Sequence, residues 1–383
     1  MEDKRLGFLT SNAIFEKKDI MTTVDQQTRR RIMRTGVTAY DRDLACPGHV
    51  LFNPNGGGDT IYLIDLEGHD VHQWKVPYPP RYAYFLPNGN IFTMLKAGGE
   101  TYPMWPDWRT HQDGMLAEID WHANIIWEHR DAYQHHDGRR TSSGGALYLT
   151  AERISDQVAK TVRGGAPDRQ PGPMWADVLV EVDAAGKRIW EWHAAEHLDP
   201  ERDVLELGNP GHEWSHGNTI VPLEDDRVLV SFRNISVVAI IDKPTGKIVW
   251  QLGDEVLAQQ HDPNLLPNGN ILIFDNGASR RFLTQGFSRV IEVDPATHAI
   301  VWEYRDRPLL NFYSPNISSA RRLPNGNTLV TEGRFGRLFQ VTPAKEVVWE
   351  YVSPYFVPGV NGEPSNAVFR ATHYAPGEIP HLR

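Results

Sequence analysis

Hydrophobic and polar positions in this chain repeat as a unit. An aspartate or its equivalent opens a short polar turn, an aliphatic pair follows, and a tryptophan ends the run. The copies are Asp65–Trp74, Asp120–Trp127, Asp183–Trp190, Asp242–Trp250, Asp294–Trp302 and Thr342–Trp349. Half of the 12 tryptophans occupy this one position. A second signature, Pro-Asn-Gly-Asn, recurs out of step with the first at Pro87–Asn90, Pro267–Asn270 and Pro324–Asn327, with a degenerate copy at Pro222. In one unit, His261–Leu266, Ile271–Asp275, Ser288–Asp294 and Ala299–Tyr304 read as four strands. The first two are joined by a close hairpin, because Asn-Gly supplies positive φ at little cost. Successive repeat tryptophans are roughly 50–60 residues apart, room for four ordinary strands and their turns. The pattern predicts an all-β chain folded as a six-bladed β-propeller. Each tryptophan is expected between neighbouring blades, where a large ring buries much apolar area.

The same pattern sets boundaries. Residues 1–38 lack the repeat and form a short N-terminal extension, with a helix expected over Val24–Met33; residues 39–383 form the propeller. The basic run Arg29–Arg31 reads as a solvated helix face. The longest spacings contain Arg153–Pro173 and Ala194–Glu213, rich in Pro, Gly or charge, where loop insertions or short helices are expected. The alternating stretch Asn366–Tyr374 follows the sixth tryptophan and can complete a blade begun near the N-terminus, closing the ring.

Composition narrows the function classes. With 39 basic and 49 acidic residues the net charge is −10, which opposes nucleic-acid and anionic-membrane partners. Cys46 is the only cysteine, so neither an intrachain disulfide nor a Cys-rich metal site can form. Met1–Arg5 leads into no long apolar run, and a cytoplasmic location is expected. Nothing in the sequence opposes a homodimer. Asn55–Asp59 and Ser143–Gly145 are glycine-rich but do not continue as a phosphate loop, and no Gly-x-Ser-x-Gly elbow or helical two-histidine zinc motif is present. Tyr102, Trp105 and Trp108 can wall one mouth of the channel or simply pack.

In a propeller the first strand of each blade lines the channel. Counting six residues back from the turn proline gives Arg81, His216, His261 and Ser318, and His135-His136-Asp137 holds the matching place in the repeat that has lost its turn. Adjacent strand residues face opposite sides, so one of the pair points inward; alignment with His261-Asp262 selects His136. Three histidines, an arginine and a serine are thus expected around one axis. Asn276 and Arg280, in the loop after Ile271–Asp275, can fold back toward the same mouth. Histidine and arginine together suit an oxyanion, and histidine also suits acid–base or nucleophilic work. Alternatively, His136, His216 and His261 can hold a divalent metal with an open position.

The run Asp242-Lys-Pro-Thr-Gly-Lys-Ile-Val-Trp-Gln-Leu-Gly253, with Gln260-His261-Asp262, Phe274-Asp-Asn-Gly277 and Phe312-Tyr-Ser-Pro315, resembles the bacterial arylsulfotransferase-like propellers over residues 45–352. The resemblance implies a six-bladed propeller with a channel site that passes a sulfuryl group from an aryl sulfate through a histidine to a phenol, with no cofactor. His216 and His261 match the two positioning histidines, and Arg280 the arginine, with Arg281 as the match after a one-residue shift. Tyr313 and Ser318 fall beside the same site, but the stretch after Pro315 carries Ser318 and Ser319 and no histidine. The expected catalytic set is therefore His216, His261, Arg280 and His136, with Arg81, Asn276, Tyr313 and Ser318 binding a small aromatic or anionic substrate. The competing readings are a metal-assisted hydrolase or lyase on the histidine cluster and a non-catalytic propeller scaffold.

Overall fold

Six antiparallel sheets follow one another along the chain in a computed structural model, which describes residues 34–98, 104–105, 108–169, 172–280, 286–359 and 362–383. The helix expected over Val24–Met33, Arg29–Arg31, Tyr102 and Arg281 lie outside these residues. The unit described here is Gly36–Arg383. Listed from the inside outward, blade 2 is Pro80–Phe85, Ile91–Lys96, Gly114–Ile119 and Ile125–Arg130. Blade 3 is Gly138–Arg140, Ala146–Arg153, Trp175–Val182 and Arg188–His193. Blade 4 is Gly217–Leu223, Arg227–Phe232, Val237–Asp242 and Lys247–Leu252. Blade 5 is His261–Leu265, Ile271–Asp275, Arg289–Val293 and Ile300–Tyr304. Blade 6 is Ser319–Arg322, Thr328–Glu332, Arg337–Val341 and Val347–Val352, and Gly36–Tyr40 adds a fifth strand to its outer edge. That added strand crosses the boundary expected between residues 38 and 39.

Blade 1 takes its inner strand, Val368–Tyr374, from the C-terminal end and its other three, His49–Pro54, Thr60–Asp65 and Asp70–Lys75, from the N-terminal end. His49 pairs with Tyr374 and Leu51 with Thr372 in antiparallel register. The chain is a six-bladed β-propeller whose ring closes by this pairing, an arrangement that leaves only short, protected strand edges.

The repeat residues have separate jobs. Each aspartate caps its own turn: Asp120 Oδ1 accepts from the amides of His122 and Asn124, both at 2.8 Å, and Asp183 Oδ1 from those of Ala185 and Lys187. The tryptophan then ties its blade to the next. Nε1 of Trp127, Trp190, Trp250, Trp302 and Trp349 donates to the carbonyls of Ala184, Lys243, Pro295, Pro343 and Leu66, each in the following blade's turn. At Trp74 the pattern changes: its ring packs edge-on to Trp121 at 5.2 Å, and His72 Nε2 takes the Trp121 carbonyl instead. The Pro-Asn-Gly-Asn turns are anchored by their asparagines. Asn88 and Asn90 both donate to Glu118, and Asn268 and Asn270 to Glu292. Gly89 sits at φ +85°, where a Cβ would be strained. Two short helices, Asp156–Ala159 and Ala194–His197, occupy the expected insertions. Among the described residues no helix is long and apolar enough to cross a membrane.

Candidate functional site

The inner strands meet through ions as well as apolar groups. Arg370, on the closing strand, lies 2.9 Å from Asp137 and 3.2 Å from Asp262. Arg139 pairs with Asp137 and Arg321 with Asp262, and the Tyr82 hydroxyl donates to Asp137. Burial alone would raise the Asp137 carboxyl, but Arg139 and Arg370 hold it below its usual value.

A cavity of about 280 Å³ opens where the inner strands begin, and all six blades contribute to its lining. Phe369 comes from blade 1 and Arg81 from blade 2. His136, His216 and His261 stand at the entrances to blades 3, 4 and 5, and Ile317 and Arg334 come from blade 6. The insertion in blade 2 adds His111, at the end of the four-residue helix Trp108–His111. Arg81 holds that helix in place: it pairs with Asp113 at 2.9 Å and donates to the carbonyls of Thr110 and His111. Trp105 lines the cavity while Trp108 is fully buried, their rings 4.8 Å apart.

Backbone conformation marks two of these positions. His136 and His216 both have φ +54°, in the left-handed region that a non-glycine residue occupies at a cost of order 1–3 kcal/mol. Such strain persists only where the surroundings impose it, and here two equivalent blade entrances share it.

Hydrogen bonds fix the tautomers. Asp177 is buried, and the nearby His135 ring offsets the upward push of burial and holds the carboxyl below its usual value. His135 Nε2 lies 3.2 Å from Asp177 Oδ1 outside good hydrogen-bond geometry, and the carboxylate beside it favours the tautomer that carries the proton on Nε2. His135 Nδ1 is then an acceptor, and His136 Nδ1 donates to it at 2.8 Å. His216 Nδ1 stands 2.7 Å from Glu213 Oε1 and donates to it. Asn276 settles His261 in the same way. Its amide nitrogen donates to the carbonyls of Ser314 and Ile317, so its oxygen faces His261 Nδ1 at 2.8 Å and accepts. All three histidines therefore keep an unprotonated Nε2. For His261 that atom accepts only the Ile317 amide, at 3.2 Å.

Electrostatics agrees. Burial, then the charge of neighbouring His216, pulls His111 and His136 well below the usual imidazole value. Burial and then Arg233 do the same for His216 and His261. The four rings are neutral near pH 7. Arg233 donates to the amide oxygens of Gln259 at 2.7 Å and Asn234 at 3.3 Å, not to a carboxylate. Arg334 is exposed at the rim with no ion-pair partner among the described residues. The cavity thus presents cationic donors and bare imidazole nitrogens together, which suits an anionic group undergoing transfer.

The sequence-derived residues divide. His136, His216, His261 and Arg81 share the cavity. Arg280 does not line it: the guanidinium pairs with Asp275 at 2.8 Å and stacks over Phe287. Asn276 lies behind His261 and orients it. Tyr313 is also absent from the lining, its amide donating to Glu332. Ser318 is buried, its hydroxyl donating to Ser314 Oγ and accepting from the Gly333 amide. The sequence pattern set His135 aside in favour of His136 and did not single out His111, Asp177, Glu213, Arg233 or Arg334. His111 sits in an insertion outside the repeat. Glu213 had a local signal, three residues before His216 in Glu213-Trp-Ser-His216.

Comparisons with known proteins agree with this architecture. The family model described as arylsulfotransferase (ASST) matches residues 107–354. The arylsulfate sulfotransferase AssT of Escherichia coli O6:H1 strain CFT073 is 26% identical over 242 residues, covering 43% of this chain and 40% of that protein. The chain therefore spans well under half of that relative's length. A protein of unknown function from Bacteroides caccae superposes with a TM-score of 0.53 at 13% identity, covering 85% of this chain and 98% of that one, a likeness of fold alone. With its repeat, ring closure and matched span taken together, the chain belongs to the arylsulfotransferase family.

Proposed function

We propose that this chain is a transferase that moves a sulfuryl group from a phenolic sulfate to a phenol inside the cavity at the channel mouth. The observation that carries the reading is the His261–Asn276 pair: an amide locked by two carbonyls forces the lone pair of His261 onto Nε2. His261 and Arg233 line the same cavity. In the first half-reaction His261, which the family resemblance would make a positioning histidine, releases the Ile317 amide from Nε2 and attacks sulfur with the freed lone pair; an N–S bond forms, and the S–O bond to the phenol breaks. The phenolate leaves and takes a proton from solvent or from a cavity group. In the second half, an acceptor phenol gives its proton to a neutral cavity imidazole, His136 or His216, or to solvent, its oxygen attacks the same sulfur, and the N–S bond breaks to restore neutral His261. Arg233 and Arg334 hold the sulfuryl oxygens, whose charge a guanidinium fork matches. Membership of the arylsulfotransferase family supports the reaction class.

The test is turnover of p-nitrophenyl sulfate with and without an added phenol, together with intact mass and peptide mapping. The expected result is phenol-stimulated release and a sulfuryl adduct on the peptide containing His261, both lost in His261→Ala. Full turnover in His261→Ala, or no release and no adduct in the wild-type chain, overturns the reading.

A further inference from the structure

Three imidazoles in the cavity converge without His261. His111, His136 and His216 each offer one ring nitrogen, and the three atoms lie within 4.8 Å of one another. Ring centroids are 5.1 Å apart for His111–His136, 4.7 Å for His136–His216 and 4.9 Å for His111–His216. Three imidazoles on one tetrahedral ion at about 2.0–2.1 Å would leave their centroids roughly 5 Å apart and their nitrogens roughly 3.3 Å apart, so the rings stand at the right separation and the nitrogens, within 4.8 Å of one another, would draw together on binding.

The surroundings are those a metal ligand needs. A ligating histidine normally donates its other ring N–H to a carboxylate or an equivalent acceptor, which fixes the tautomer. His216 does so directly to Glu213. His136 does so through His135, which leans on Asp177. Both leave Nε2 bare, whereas a purely structural histidine would spend both nitrogens. The third ring, His111, makes no side-chain hydrogen bond among the described residues, and Arg81 holds its helix by the carbonyls of Thr110 and His111. Glu213 and Asp177 place two carboxyl groups in the outer shell, against the nearby guanidinium of Arg233; burial raises the Glu213 carboxyl, and a bound cation would favour its ionised form. The same cavity carries Arg233 and Arg334, so a position left open on the ion would face an anionic oxygen.

We propose that His111, His136 and His216 bind one divalent transition-metal ion, zinc foremost, with Glu213 and the Asp177–His135 pair as its outer shell and an open position facing the cavity. Imidazole-only sites suit Zn, Cu, Ni and Fe over Mg or Ca. The proposal does not depend on the sulfuryl-transfer reading, since His261 lies outside the triad.

The experiment uses the full chain without a histidine tag, stripped with chelator and titrated with Zn²⁺ against a chromophoric competitor, with Co²⁺ spectra in parallel. One tight equivalent and the visible absorption of a nitrogen-ligated Co²⁺ site are expected. His111→Ala removes a ring with no hydrogen bond, so melting should be nearly unchanged while tight uptake is lost. Glu213→Gln keeps the shape and should weaken affinity by about 10–100-fold. His261→Ala should bind the ion as the wild type does. Uptake well below one equivalent, His111→Ala titrating like the wild type, or His261→Ala losing the ion would each overturn the assignment. Because the readout is metal content and spectrum, its failure is distinct from a failure of sulfuryl transfer.

Discussion

Nδ1 of His135 lies 2.8 Å from Nδ1 of His136, across two adjacent residues whose rings are nearly perpendicular. One of the two must donate. The buried Asp177 carboxylate beside His135 Nε2 decides which, and so sets the lone pair on the far side of His136. Asp177→Asn removes that bias. An amide can present its N–H to His135, which allows the opposite tautomer chain and a proton on His136 Nε2. Turnover should fall while the fold persists, and the two ring ¹⁵N shifts of His136 should change places in character. Unchanged shifts would disprove the relay.

Stability should fall as the medium is acidified in the presence of chelator. His136, His216 and His261 have folded-state values well below the ordinary imidazole value, chiefly through burial. In the unfolded chain they titrate near about 6.5. Below that pH the unfolded state binds more protons, so unfolding becomes easier as pH falls and the contribution is complete above it. Each histidine contributes up to about 1.4 kcal/mol per pH unit in that window. Denaturant titrations from pH 8 to pH 5 test this, and a His261→Gln variant should show a shallower slope. An identical slope would remove His261 from the account.

Asn276→Ala should be costly although the residue does not line the cavity. It leaves the Ile317 carbonyl and Nδ1 of His261 without their partner, and the Ser314 carbonyl with only the Ser288 hydroxyl at 3.3 Å. Buried groups orphaned in this way cost about 1–3 kcal/mol each. Urea unfolding measures the loss, and kcat should drop more than KM rises, because the defect is in His261 and not in the groups that hold the substrate.

Arg370→Met removes the cation that lies between Asp137 and Asp262. Arg139 and Arg321 remain, each bound to one of the carboxylates, but the central charge is lost. Breaking a buried ionic group by removing one member costs about 3–5 kcal/mol. Thermal unfolding should show it, and a loss under about 1 kcal/mol would mean that the flanking arginines suffice.

Arg334→Ala should act on substrate capture alone. The side chain is exposed at the cavity rim and carries no ion pair among the described residues, so melting should be unchanged. Hydrogen bonds to charged groups are worth about 1.5–3 kcal/mol, so kcat/KM for an aryl sulfate should fall by roughly 10–100-fold, chiefly through KM. An unchanged KM would place the anion elsewhere, with Arg233 the next residue to test.

The sequence by itself determined the ring. Six units specify six blades: a carboxylate caps the turn in five and Thr342 in the sixth, and the indole reaches the next blade in five, all but Trp74. The out-of-step Asn-Gly turns located the first hairpin of three blades. Counting back from them and from the degenerate turn at Pro222 gave Arg81, His261, Ser318 and His216, of which all but Ser318 line the cavity. What the repeat could not contain, only the tertiary structure decided. His111 enters from an insertion that has no counterpart in the other blades. Glu213 and Asp177 matter through the histidine each one faces, and Asp177 reaches His135 from a strand some forty residues further along the chain. Arg280 sits close in sequence to the site, yet Asp275, five residues away, claims its guanidinium. Periodicity fixes where a backbone goes. The direction of a buried charged or tautomeric side chain depends on which partner offers the stronger hydrogen bond in a low-dielectric interior, and those partners come from different blades.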